Sequence, residues 1–179
     1  MKKHILSILV NNSAGVLSRV AGLFSRRGYN IDSLSVGTTE EEEISRITVV
    51  IQCDEEGAFQ IKNQLRKLID VLDITELLSE KSVYREIALV KVCSNEKKML
   101  SITNIVNIFR ASIIDVSKGS VIIEATGDSG KITALIDALK PYGIMEVVRT
   151  GLTGLVRGQK VSLKEELKWQ NYFIRKNVI

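Results

Sequence analysis

The spacing of apolar residues along this chain changes several times. The first changes, from strand-like to helical and back to strand-like, predict that the chain begins β-α-β. Residues 4–10 form a strand-like apolar stretch, and apolar residues then recur at helical spacing over residues 16–24. Gly28 marks the end of that helix. Leu34 and Val36 then alternate with small polar residues, which is typical of a second strand.

The following residues complete a six-element unit. Acidic residues 40–43 predict a hairpin tip before a third strand. That strand has one apolar face, formed by Ile47, Val49 and Ile51. The helix after it also has one apolar side, formed by Ile61, Leu65, Leu68 and Ile69. With a closing strand over residues 71–78, the order is β-α-β-β-α-β, the ferredoxin-like arrangement.

The second part of the chain repeats this order. Strand-like residues 87–92 precede a helix with one apolar face, formed by Ile102, Ile105, Val106 and Phe109. Residues 113–116 and 121–123 predict a hairpin that turns at Lys118-Gly119. The last predicted helix has an apolar face formed by Ile132, Leu135, Ile136 and Leu139, and it ends at Pro141. Residues 144–148 are predicted to be the final strand.

The predicted fold is therefore α+β, with two tandem ferredoxin-like βαββαβ domains in residues 1–80 and 81–158. Domains of roughly 75 residues bury only a small core. A sheet with both helices on one face also leaves its other face and its edges unpaired. We therefore expect a homodimer.

Composition and charge exclude several kinds of partner. Apolar residues make up 45 % of the chain and charged residues 26 %, which is typical of a globular protein. No apolar run approaches the ~20 residues of a membrane span, so no membrane partner is expected. The net charge of +4 is concentrated at the C-terminus, since residues 1–80 carry −3 and residues 151–179 carry +4. Nucleic-acid binding needs a basic stripe on folded structure, so no nucleic-acid partner is expected either.

The residue sets that catalysis and metal binding require are missing from the sequence. His4 is the only histidine, which excludes a His-based triad or a multi-histidine metal site within one chain. Cys53 and Cys93 have no partner spacing and are typical of buried thiols in a reducing compartment. We therefore predict no catalytic residue, no metal site and no cofactor in this chain, and a cytoplasmic location or the plastid stroma.

A glycine-rich segment at residues 127–133 comes close to a phosphate-binding loop but does not match it. The motif needs glycine at position 125 and serine or threonine at position 132, where this chain has Ala125 and Ile132. Asp128 or Ser129 is instead expected to cap the helix that follows.

The polar elbow at residues 11–15 is the candidate site. It leads into a helix whose first N–H groups, around Ala14 to Val16, lack partners and would attract a carboxylate or a phosphate. Gly15 allows close approach of the backbone, and Asn12 either caps the helix or accepts a proton from a ligand amine. Asn30 can donate and accept before the second strand, and Gly37 leaves room for an aliphatic side chain. Together these four residues predict a site for a free amino acid.

The run NNSAGVLSRVAGLFSRRGYNIDSLSVG, residues 11–37, resembles the ACT domain of the small, regulatory subunit of acetolactate synthase (acetohydroxyacid synthase). Agreement covers roughly residues 3–158. It extends through residues 44–48, 85–92, 108–110, 113–116, 127–131 and 149–151. The resemblance implies a first domain of the ACT type and a second ferredoxin-like domain.

It also implies a function. Such a subunit is not catalytic; it activates a large subunit that holds thiamine diphosphate, Mg and FAD, and it confers feedback inhibition by valine, or by leucine or isoleucine. By this resemblance Asn12, Gly15, Asn30 and Gly37 are ligand-binding positions, and the ligand lies between two chains, so that Asn30 serves the neighbour's pocket.

Two features depart from the family pattern. Many relatives have proline where this chain has Ala14, which bears on ligand affinity. Residues 159–179 extend past the usual end, and four apolar residues predict a short amphipathic helix there: Leu163, Leu167, Trp169 and Phe173. Docking on its own subunit and docking on the catalytic partner both fit this extension. Two other functions are left open, a stand-alone ACT regulator and an enzyme completed by a partner at a shared interface.

Overall fold

The computed structural model describes residues 1–158 and contains two successive βαββαβ units. The first unit consists of β1 (Lys2–Asn11), α1 (Val16–Arg26), β2 (Ile31–Thr38), β3 (Ile44–Cys53), α2 (Glu55–Leu65) and β4 (Val71–Glu76). The second consists of β5 (Ser82–Cys93), α3 (Glu96–Ile108), β6 (Ser112–Ser117), β7 (Ser120–Gly127), α4 (Ser129–Leu139), a 3-10 turn (Lys140–Tyr142), β8 (Ile144–Arg149) and β9 (Thr153–Val156). The predicted pair of ferredoxin-like folds is confirmed. The helix predicted within residues 159–179 lies outside the described residues.

The two antiparallel sheets have the same strand order, β2-β3-β1-β4 and β6-β7-β5-β8. Even their irregularities correspond. The register of β1 against β4 shifts between Leu9 and Val10, and that of β5 against β8 shifts between Lys91 and Val92. The two central strands are β3 and β1 in the first sheet and β7 and β5 in the second. The edges of the four-stranded order are β2, β4, β6 and β8.

Each unit has its own core between one sheet face and two helices. In the first core the fully buried large side chains include Leu6, Ile8, Phe24, Ile47, Ile51, Ile61 and Leu65. In the second they include Ile102, Ile123, Ile132 and Leu135. These residues follow the period of 2 in strands and 3.6 in helices that the sequence shows, which is why the element order could be predicted. No helix within residues 1–158 has the length and apolarity that crossing a bilayer requires.

The apolar side predicted for the second helix is wrong at its end. α2 stops at Leu65, Leu68 is only partly buried in the turn that follows, and Ile69 is 92 % exposed. The N–H of Leu68 donates to the carbonyl of Leu65, and that of Val71 donates to the carbonyl of Leu68, so the chain turns into β4 within these residues. Helical spacing in the sequence continues past the point where the backbone leaves the helix.

The strand predicted over residues 144–148 is confirmed as β8, but the prediction that it is the final strand is wrong. β9 follows β8 and pairs antiparallel with the first residues of β5, from Ser82 to Arg85. Gly154 is required there, because a Cβ would lie 2.8 Å from the carbonyl oxygen of Val83. The connection to β9 also carries buried Leu152, which packs with Ile5 of the first unit.

This small cluster joins the two units on the helix-free face of the first sheet. Its buried members are Ile5, Val50, Leu77 and Leu152, with Tyr84 and Val156 packed against them. The Ser35 hydroxyl donates to the carbonyl of Leu152 at 2.9 Å, and the Leu152 N–H donates to the Ser33 hydroxyl at 3.4 Å. The connection therefore fixes β2 relative to the second unit.

Candidate functional site

The elbow between β1 and α1 is tied to two neighbouring loops. The N–H of Asn12 donates to the carbonyl of Glu43 at 2.6 Å, and its side-chain Nδ2 donates to the carbonyl of Glu42 at 2.8 Å. On the other side, the N–H of Asn11 donates to the carbonyl of Asp70 at 2.9 Å. These bonds hold the elbow against the acidic hairpin tip and the loop before β4.

Asn12 does not cap α1, so that alternative is wrong. Its Nδ2 is used on the hairpin tip, while its side-chain oxygen has no hydrogen-bond partner within residues 1–158. An amide oxygen held in place by its own nitrogen's bond is a suitable acceptor for an ammonium group. The second alternative, a contact with a ligand amine, therefore fits the geometry.

Gly15 is the N-cap of α1 and has a left-handed backbone, with φ +83°. No side chain of residues 1–158 caps this helix, and its first turn has no acidic residue. The prediction of a free N–H at Val16 is wrong, because that group donates to the carbonyl of Ser13 at 3.3 Å. The N–H groups of Leu17 and Ser18 have no partner among the described residues. They make the helix start an anion-binding position.

Arg19 is a part of this region that the sequence pattern did not indicate. Its Nε donates to Oδ2 of Asp70 at 2.7 Å, so α1 is anchored to the same loop that holds Asn11. A Cβ added at Gly15 would lie 3.1 Å from Nη1 of Arg19. The elbow, the first turn of α1 and the loop at Asp70 thus form one packed arrangement.

The four predicted site residues fall at two ends of β2. Thr38 pairs with Ser45 beside the end of β1, so Gly37 lies at the same end of the sheet as Asn12 and Gly15. Asn30 precedes Ile31, which pairs with Ile51 at the opposite end. Seven residues of strand separate the two ends by roughly 20 Å. Within one chain Asn12, Gly15 and Gly37 therefore lie toward the same end of the sheet, and Asn30 lies at the other.

Asn30 lies at the open edge of the first sheet. Its Nδ2 donates to Oδ1 of Asp32 at 3.1 Å, and its side chain is exposed. Asp32 occupies the bulge where the register of β2 against β3 shifts, and it also accepts from Nε2 of Gln52 at 2.8 Å. The bulge turns the start of β2 and orients the amide of Asn30.

A cavity of about 720 Å³ lies between the two units on the helix-free side and includes Gly37 but not Asn12, Gly15 or Asn30. A Cβ at Gly37 would meet nothing within 4 Å. Across the cavity the second unit contributes Arg85 and Thr150. Gly37 therefore faces open space between the units, and the elbow lies at the rim of the sheet rather than in this cavity.

Two partly buried groups of paired polar and charged side chains, one in each unit, were not expected from the sequence. Nδ1 of buried His4 lies 2.7 Å from Oε1 of Glu76, and Nζ of Lys62 donates to Oε2 of Glu76 at 2.8 Å. Burial alone would raise the pKa of Glu76, but the hydrogen bonds from Lys62 and His4 outweigh it and lower that pKa. In the second unit Glu86, 3 % exposed, pairs with Arg149 through both carboxylate oxygens.

The described residues contain no group of three or more His, Cys, Asp or Glu side chains that could hold a metal ion. Cys53 is buried and Cys93 half-buried, and neither forms a disulfide.

Models of known protein families match both units. A family model described as the AHAS small subunit-like ACT domain matches residues 6–73, and a model described as the small subunit of acetolactate synthase matches residues 85–158. The fold and the open helix start thus define a protein of two ferredoxin-like domains, the first of them an ACT domain.

Relatives extend the match over both domains. The acetolactate synthase small subunits of Bacillus subtilis and Mycobacterium bovis are 47 % and 48 % identical to this chain, each covering 89 % of it and 95 % of their own length. The crystal structure of the small subunit from Thermotoga maritima is 40 % identical, with a TM-score of 0.83, over 89 % of this chain and 100 % of that one. The chain therefore belongs to the acetolactate synthase small subunit family.

Proposed function

We propose that this chain is the regulatory subunit of an acetolactate synthase. It would bind and activate the catalytic large subunit and make it sensitive to a branched-chain amino acid: valine, or leucine or isoleucine. Relatives named as small subunits, matched over nearly their whole length, support the partner. Thiamine diphosphate, Mg and FAD would belong to the large subunit.

The uncapped start of α1 is the observation that carries the amino-acid site. Its free N–H groups at Leu17 and Ser18 suit a carboxylate, and Gly15 leaves space in front of them. The side-chain oxygen of Asn12 would accept from the ligand's ammonium group. A free amino acid carries a carboxylate and an ammonium group close together. It would therefore satisfy both the N–H groups of the helix start and the side-chain oxygen of Asn12.

The position of Asn30 supports a site shared by two copies of the chain. β2 is an edge strand, and the backbone groups on its outer side are open to pairing. When two β2 strands pair antiparallel about a two-fold axis, the start of one lies beside the end of the other. Asn30 of one copy then reaches the Gly37 end of its neighbour, where Asn12 and Gly15 also lie. The dimer would thus complete the pocket.

Regulation follows if the ligand and the catalytic subunit prefer different geometries of this dimer. A coupling free energy of ~1–3 kcal/mol between the two binding events changes activity by ~5–150-fold. A ligand that binds both geometries equally would have no effect. The pocket between two chains is well placed for such coupling, because it changes shape whenever the chains move relative to each other.

Calorimetric titration of the full chain with valine, leucine and isoleucine tests this proposal, alone and with the catalytic subunit present. We expect one ligand per chain, and a different affinity in the complex. Acetolactate formation by the catalytic subunit should rise when the chain is added and fall again with the bound amino acid. A chain that neither binds a branched-chain amino acid nor changes the rate would contradict the proposal.

A further inference from the structure

A second cavity, of about 380 Å³, lies where the start of β5 meets β1 and the first turn of α4. It shares no residue with the elbow. The lining includes Lys3, Ser82, Arg85, Ser129, Gly130 and Arg157. We propose that this cavity binds a small phosphate-bearing anion.

Three cations line the cavity without a carboxylate partner. Lys3, Arg85 and Arg157 form no salt bridge with any residue of the described chain. Arg85 donates to the carbonyl of Tyr84 at 2.7 Å, and Arg157 donates to the carbonyl of Ser82 at 3.3 Å, so both guanidinium groups use only backbone oxygens. Each guanidinium keeps N–H groups for an anion.

The first turn of α4 adds backbone donors. Asp128 caps the helix, as expected for Asp128 or Ser129, and its Oδ1 accepts from the N–H of Lys131 at 2.8 Å. The N–H groups of Ser129 and Gly130 have no partner among the described residues, and the first turn has no acidic residue. Among the described residues, Asp128 is the one carboxylate that lines the cavity, against three cations and the positive end of an 11-residue helix.

Ser82 provides an independent sign of a missing partner. It is 3 % exposed and lines the cavity, and its Oγ is a buried polar atom with no hydrogen-bond partner among residues 1–158. Buried hydroxyls in folded proteins nearly always have one. A ligand oxygen in the cavity could accept the Ser82 proton.

The donors fit phosphate better than a carboxylate. They approach from three elements, and a phosphate group offers three oxygens and up to two negative charges to satisfy them. A volume of about 380 Å³ lies within the range of small-molecule sites, so the cavity has room for a phosphate ester as well as for free phosphate.

Titration of the full chain in phosphate-free buffer tests this inference, with inorganic phosphate, glycerol 3-phosphate and acetate as separate probes. Ser129→Asp places a carboxylate at the helix start, where it favours the helix but repels an anion. Lys118→Met, at the exposed turn between β6 and β7, lowers the net charge by the same amount and serves as the control. We expect saturable binding of a phosphate probe that weakens at least tenfold in Ser129→Asp and is unchanged in Lys118→Met.

Tighter binding of glycerol 3-phosphate would assign the site to phosphate esters, and tighter binding of inorganic phosphate would assign it to the free anion. Absence of saturable binding, an equal loss in both variants, or acetate binding as tight as that of phosphate would overturn the proposal. Melting curves in phosphate-free buffer identify a variant that fails to fold. Lys3→Met gives a second test that leaves α4 unchanged, with the same tenfold loss expected.

Discussion

α1 and α3 occupy the same place in the two units but begin differently. α1 begins after Gly15, in a left-handed conformation and without a side-chain cap. α3 begins after Asn95, whose Oδ1 accepts from the N–H of Lys98 at 2.9 Å, and Glu96 adds a negative charge to the first turn. The second unit thus supplies from its own side chains the acceptor and the negative charge that the start of α1 lacks. The two units share one fold, and this difference between their helix starts is the reason for proposing the amino-acid site in the first unit.

The two units also share a pair formed by an acidic side chain and a nitrogen-bearing side chain at the same position of the sheet, with the two strands exchanged. His4 and Glu76 lie on β1 and β4, where Glu76 is paired with Leu6. The second unit has Glu86 on β5 and Arg149 on β8, where Arg149 is paired with Ala88. This pair recurs in both units, whereas among the α-helices within residues 1–158 the start without a side-chain cap is that of α1.

The largest expected effect comes from the second unit's ion pair. Arg149→Met leaves the carboxylate of Glu86 buried without its partner, which should lower the free energy of unfolding by about 3 kcal/mol. Urea unfolding of both single variants and of Glu86→Met/Arg149→Met measures this. The double variant should recover most of the loss, since it leaves no charge unpaired. A single variant no less stable than the double would show that the pair has no such role.

Gly15→Asp places a carboxylate at the open start of α1 and so tests how this start differs from that of α3. The new carboxylate would occupy the ligand's position and remove charge-assisted hydrogen bonds worth about 1.5–3 kcal/mol, which weakens valine binding by roughly 10- to 150-fold. Aspartate tolerates the left-handed backbone better than most residues, so the fold should survive. Ser94→Asp, before α3 in the second unit, is the matched control and should bind valine normally.

Activation of the catalytic subunit should be retained in both Asp variants. If Gly15→Asp and Ser94→Asp responded equally to valine, the two helix starts would be functionally alike and the site would lie elsewhere.

Glu76→Gln tests the first unit's ion pair through pH. The folded protein holds the pKa of Glu76 below its ordinary value of 4.5, so this carboxylate stabilises the fold above that pH and loses its effect as pH falls through the folded value. The variant should be about 1–2 kcal/mol less stable at pH 7 and should lose less stability below pH 4.5. Parallel acid-unfolding curves for variant and wild type would contradict this account.

The smallest effect concerns the helix ends. α1 is followed by Gly28 with φ +71°, whereas α3 is followed by Arg110 with φ +48°, the one non-glycine residue with positive φ among those described. Arg110→Gly should therefore stabilise the second unit by about 0.5–1 kcal/mol, and Gly28→Ala should destabilise the first by about 1 kcal/mol. Thermal melting checks both signs. Destabilisation by Arg110→Gly would show that the Arg110 side chain contributes more than its backbone conformation costs.

The sequence predicted the order of elements because apolar spacing is local and each strand or helix repeats it several times. β9 escaped prediction because it has four residues and pairs with Ser82–Arg85 only after the chain has folded back. Ile69 was misplaced because helical spacing continues where α2 has already ended. Neither error concerns the two cores that lie between a sheet and its helices.

At the site, Gly15 and Asn12 could be predicted from the sequence directly. Glycine permits a backbone conformation that other residues avoid, and an asparagine side chain forms hydrogen bonds with backbone groups close to it. The bond from Asn12 to Glu42 and the anchoring of Arg19 on Asp70 join residues 30 and 51 positions apart. The same holds for Glu86 and Arg149, 63 positions apart. No local pattern specifies such contacts, so they become visible only in the folded chain.

In the proposed dimer, one pocket combines Gly15 of one chain with Asn30 of another. Mixing two variants that are each defective in binding tests this arrangement most directly. Gly15→Asp and Asn30→Ala should each bind little valine alone. After unfolding and joint refolding, each mixed dimer would have one intact pocket, so about one quarter of the wild-type number of sites should return. A mixture that binds no more valine than its components would contradict a pocket shared between chains.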